Sequence, residues 1–140
     1  MPEDAFSPEE KQIFRDQTEF LLLAMPELAS VRENWRTWET FGRGMAAQME
    51  RDWGLRSRDG ALWLQAKQKV HAAMTGNDPA HASIRSRIVK SPAISGIMLA
   101  DLSMWLAGDM KISLSVTKRL VAVMLLGVSG SRGDWNALGQ

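Results

Sequence analysis

The chain has 140 residues, is 45% hydrophobic and 24% charged, and carries a formal net charge of +1. That length and apolar content suffice for a hydrophobic core and argue against intrinsic disorder. The absence of cysteine excludes disulfides, thiol nucleophiles, thiolate zinc sites and iron–sulfur clusters.

The first segment, MPEDAFSPEEKQ, is acidic and polar, unlike a secretory signal. No apolar run approaches the ~20 residues that span a bilayer, so a cytoplasmic protein without a membrane segment is expected. Ser7, Pro8 and Glu10 have the spacing of a capping box with proline at the first helical position. A helix follows, with Ile13, Phe14, Thr18, Leu21 and Leu22 as its stripe, and Pro26 stops it. Pro26 also opens PELASVRENWRTWETF, where Leu28, Val31, Trp35 and Trp38 recur every three or four residues. Gly42 and Gly44 are expected to interrupt that helix. A short piece bearing Met45, Met49 and Trp53 follows and stops at Gly54.

The next helix is expected from about Asp59 to Met74, with Leu62, Ala66, Val70 and Met74 as its seam and Gly76 as its end. A turn then leads to a short basic helix anchored by Ile84 and Ile88. Ser91-Pro92 repeats the Ser7-Pro8 pattern and opens a stretch that is apolar almost all round, which marks a buried helix over about 92–107. Only MKISLSV alternates with period two, and one short strand forms no sheet. A second buried helix is expected over about 115–127. The fold class is therefore all-α. A single compact domain over 1–140 is expected, with six or seven helices, 92–107 and 115–127 at its centre, and residues 1–6 and 131–140 as loosely docked or flexible ends.

Chemistry is harder to find. His71 and His81 stand in different segments without a His-x-x-x-His pair, and Glu27, Glu33 and Glu39 have no Glu-x-x-His partner. The glycine-containing stretches FGRGM and GVSGSRGDW lack the Gly-Lys-Ser/Thr ending of a phosphate loop, and no Gly-x-Ser-x-Gly elbow occurs. No metal, no cofactor and no enzymatic activity are expected. A carboxylate-centred enzyme built around Asp101 stands as a third possibility. Asp101 is flanked by Ile97, Met98, Met104 and Trp105 on a helix, where a carboxylate calls for solvent or an arginine partner.

Charge is unevenly distributed. Residues 1–50 hold ten acidic and five basic side chains, net −5, whereas residues 51–140 hold six and twelve, net +6. Either the halves neutralise each other across the fold, or a basic face meets an acidic partner or nucleic acid. Trp35 and Trp38, with Arg32 and Arg36 beside them, have the composition of a binding hot spot, although their spacing equally fits a core stripe. With Asp101 they form the candidate partner interface.

The closing stretch LLGVSGSRGDW resembles the turn of bacterial helix-turn-helix repressors. With Gly127 as the turn glycine, Ala122, Leu126 and Val128 fall at its apolar positions, and Ser129 and Ser131 at the polar start of a recognition helix. It departs from that pattern at Val123, Gly133 and Asn136, where the motif carries a small residue and two aliphatic anchors. The resemblance implies DNA binding, with Arg132 in the reading segment. Otherwise the stretch is the end of a buried helix stopped by Gly127, with Trp135 and Leu138 pinning the tail to the core. Two functions are therefore carried forward. The first is a non-enzymatic helical interaction module of bacterial style, an adaptor, regulator or toxin-neutralising immunity-type protein with a protein partner or a second copy of itself. The alternative is a nucleic-acid-binding regulator using Arg85, Arg87, Lys90, Lys118, Arg119 and Arg132.

Overall fold

Capping chemistry starts the first helix where the sequence places it. Ser7 Oγ accepts the Glu10 backbone N–H and Glu10 returns a carboxylate oxygen to the Ser7 N–H, so α1 spans Pro8–Ala24. The computed structural model describes residues 6–52, 62–89 and 95–139. Among the described residues α1 is followed by α2 (Leu28–Glu33), α3 (Trp38–Asp52), α4 (Leu62–Thr75), α5 (Ala82–Val89), α6 (Gly96–Met110) and α7 (Leu114–Gly130), with no strand. The fold is a compact all-α one.

Helix α7 is its axis. Ser113 caps it by accepting the Val116 N–H, and every residue from Leu120 to Gly130 is buried. Helices α1, α3 and α6 pack around it, with α4 and the C-terminal turn closing the remaining side. A buried hydroxyl ties α6 to α7, since Thr117 Oγ1 donates to the Ser103 carbonyl at 2.9 Å. Helix α6 is less central than its composition suggests. It buries Met98, Leu99, Leu102 and Leu106, but Ile97 is 76% and Met104 63% exposed. Its N-cap among the described residues is Ser95; Ser91 and Pro92 lie outside them, as do Trp53, Gly54 and Asp59.

Three glycines expected as helix stops prove otherwise. The PELASVRENWRTWETF helix breaks at Asn34 (φ −133°, ψ 71°), a 3-10 turn over Trp35–Thr37 follows, and α3 then runs unbroken through Gly42 and Gly44. The bend lets two successive tryptophans reach α7: a Cβ on Gly127 would lie inside contact distance of the Trp38 ring, and one on Gly130 inside that of the Trp35 ring. Gly42 does the same for Trp63 of α4. Gly42, Gly127 and Gly130 are seats for indoles inside helices, whereas Gly44 meets no neighbouring side chain.

Helix α7 consequently does not stop at Gly127. It ends three residues later in a Schellman arrangement, with the Gly133 N–H bonded to the Val128 carbonyl and the Arg132 N–H to the Ser129 carbonyl. Arg132 takes the left-handed position (φ 57°) where glycine is usual. A 3-10 turn over Trp135–Gly139 then packs on α4 and α7, with Leu138 only 2% exposed. Leu138→Ala is expected to cost about 2–3 kcal/mol in chemical denaturation, the low end for a buried leucine because a short 3-10 turn relaxes more easily than a helix. An unchanged midpoint would mean that the turn contributes nothing to the core.

Candidate functional site

The residues of the candidate interface part company in the fold. Trp38 is buried, seated on Gly127 and set edge-on to Trp63 at 5.9 Å, so it belongs to the core and not to a binding face. Asp101 lies on α6, away from the tryptophans, and accepts from Arg87 at 3.0 Å. The expected need of that carboxylate for an arginine partner is thus met from α5.

Arg32, Trp35 and Arg36 remain together. They line one side of a surface cleft of about 340 Å³ whose other side is α1 and the residue before its cap. The lining comprises three aromatic rings, Phe6, Phe14 and Trp35; four cations, Lys11, Arg15, Arg32 and Arg36; and Glu33 with Asn34. Its construction follows from local sequence. Lys11 and Arg15 stand four apart on α1 and project from one face. Asn34 ends α2 and swings Trp35 inward onto Gly130, which carries Arg36 to the opposite lip.

The rings are held by their neighbours. Phe6 stacks on Trp35 at 5.9 Å and meets Phe14 at 5.5 Å. The Arg36 guanidinium lies 4.9 Å from the Trp35 ring centre, and that of Arg132 lies 4.9 Å from Phe6. Arg15 pairs with Glu33 at 2.9 Å, both more than half exposed, and Arg32, mostly buried, pairs with Glu19. Arg32 Nε is buried without a hydrogen-bond partner in the cleft wall.

Phe6, Lys11 and Arg15 carry no motif that marks them in the sequence. A lone aromatic just before an N-cap, followed by basic residues spaced four apart, was the available signal.

Arg132 closes the back of this site. It donates to Glu10 at 3.1 Å, tying the end of α7 to the capping box of α1. The Ser7 backbone N–H and then the Arg132 guanidinium hold the Glu10 carboxyl below its ordinary value. A carboxyl depressed on folding stabilises the folded chain near neutrality and loses that contribution as the pH falls through its lowered value. An NMR titration of Glu10 should therefore show a midpoint below the ~4.3 of an ordinary glutamate, moving upward in Arg132→Ala. An identical midpoint in the variant would show that Arg132 does not hold the carboxylate.

Three of the other basic candidates have partners within the protein. Arg85 donates to the Ala73 and Asp78 carbonyls, Arg87 pairs with Asp101, and Arg119 approaches Glu27 at 3.9 Å. Lys118 is exposed on α7, and Lys90 lies outside the described residues. Pairs such as Lys67–Glu39, Arg119–Glu27 and Arg132–Glu10 join cations of the basic part to carboxylates of the acidic part. Three ion pairs among the described residues thus cross between the acidic and the basic part. The repressor-like stretch is also placed differently from its motif: Gly127 lies inside α7, and a 3-10 turn follows instead of a second helix.

Among the described residues no three His, Asp or Glu side chains gather to hold a metal ion, and no helix is long and apolar enough to cross a membrane. What fold and site define together is a helical protein with an aromatic cleft ringed by cations. Comparison with protein-family models, curated proteins and solved structures found no match.

Proposed function

We propose that this chain is a non-enzymatic interaction module that binds a protein partner through the cleft between α1 and the α2–α3 bend. The observation that carries this is the cleft's make-up: ordered aromatic walls with the exposed cations Lys11, Arg15 and Arg36 beside them and Glu33 as the one carboxylate of the lining. Aromatic and arginine side chains supply most of the binding energy at protein interfaces, and rings already locked by packing lose little entropy on binding.

The test is affinity capture from extracts of the source cells, with the wild-type chain and a Lys11→Glu/Arg36→Glu variant as baits. Both side chains are exposed, so the variant should fold. A stoichiometric partner retained by the wild type and lost by the variant is expected. No partner, or one held equally by both, would overturn the proposal.

A further inference from the structure

The geometry points to a specific class of partner for this cleft: an extended, acidic protein segment with one apolar anchor residue. This rests on the interaction-module proposal above and adds the chemistry of what is bound. The anchor sits against Phe6, Phe14 and Trp35, and carboxylates flanking it pair with the exposed Lys11 and Arg15 on one wall and Arg36 on the other. Lys11 and Arg15 stand four apart on α1 and form a short row of positive charge, which Arg36 faces across the aromatic rings. A volume of about 340 Å³ suits one or two side chains of a peptide.

A nucleic-acid strand fits less well. Its bases bind by stacking on open ring faces. The Trp35 ring already carries Phe6 and Arg36 and abuts Gly130, and the Phe6 ring carries Trp35 and Arg132. A base would have to displace one of these neighbours, whereas an aliphatic or aromatic anchor needs only the ring edges.

Glu33 sets the affinity. It is the one carboxylate in the lining and occupies Arg15 at 2.9 Å. An incoming carboxylate competes with it for that guanidinium. Removing its charge therefore strengthens binding of an acidic ligand, an effect opposite to that of structural damage.

Fluorescence anisotropy at ~50 mM salt tests this, with a labelled twelve-residue peptide of glutamates around a central Leu-Phe pair. Three further probes are a glutamine version, a version with Ser-Ser at the centre, and a twelve-nucleotide thymidine strand. The acidic Leu-Phe peptide should bind about tenfold tighter than either altered peptide and tighter than the oligonucleotide. Glu33→Gln should tighten it about threefold, and Lys11→Glu/Arg36→Glu should abolish it.

Equal binding of the glutamine peptide, tighter binding of the oligonucleotide, no binding of the acidic peptide, or weaker binding by Glu33→Gln would each overturn the inference. The two proposals fail separately. A captured partner that depends on Lys11 and Arg36, alongside an acidic peptide that does not bind, removes the ligand chemistry and leaves the module. Absence of both removes both.

Discussion

Gly127→Ala is expected to destabilise the protein by about 2 kcal/mol, while Gly44→Ala, the same change in another helix interior, should stabilise it by up to ~1 kcal/mol. Alanine is the better helix former at both positions, so propensity alone gives both variants the same sign. The difference is space. A methyl at Gly44 meets nothing within 4 Å, whereas at Gly127 it would overlap the shared edge of the Trp38 rings. Trp38 is only 8% exposed and lies against Trp63, so it has no free direction to move in. Overpacking a filled core costs about 1–3 kcal/mol, and a rigid ring in a helix–helix seam belongs at the upper end. Thermal unfolding resolves the pair easily, at roughly 3–5 °C per kcal/mol for a chain this long. Equal stability of the two variants would show that Trp38 does not seat on Gly127.

The second large effect concerns the buried lysine. Lys67 of α4 is 2% exposed, its ammonium 2.6 Å from Glu39 Oε1 and 5.8 Å from the ring centres of both Trp38 and Trp63. Glu39 is 28% exposed and also accepts from Arg43 at 3.2 Å. The two partners should therefore respond unequally. Glu39→Ala leaves an ammonium among indoles with no counter-charge, which is expected to cost about 3 kcal/mol. Lys67→Met removes the buried charge, keeps the side-chain volume, and leaves Glu39 with Arg43 and partial solvent. It should change stability by less than ~1 kcal/mol, in either direction. A double-mutant cycle measures the coupling, and a large loss in Lys67→Met would mean that the ion pair itself stabilises the fold.

How far the sequence reveals this architecture depends on the scale of the feature. Capping serines, prolines and apolar periodicity are local, and they place α1, the end of α4 at Gly76, the Ile84–Ile88 helix and the buried α7 without knowledge of the fold. The glycines mislead because their meaning is tertiary. A helix-breaking residue becomes a helix-packing residue when a tryptophan from elsewhere needs the room, and nothing around Gly42, Gly127 or Gly130 says which tryptophan that is.

The site is legible in part for the same reason. Arg32, Trp35 and Arg36 stand as a cluster in the sequence, whereas Trp38, three residues on, differs from Trp35 in being buried where Trp35 keeps part of its surface open. Phe6, Lys11 and Arg15 join them only because α1 folds back beside α2. Asp101, Arg85, Arg87 and Arg119 behave as ordinary charges do, each finding an opposite charge or a carbonyl.

Hydrogen exchange of the chain in complex with its captured partner tests most directly whether the cleft is the working face. Backbone amides of residues 9–15 on α1 and 32–36 at the α2–α3 bend should exchange more slowly in the complex than in the free chain. The exposed face of α6 around Ile97 and Met104 should be unchanged. Protection centred on α6, with the α1–α2 cleft exchanging as in the free chain, would contradict the assignment.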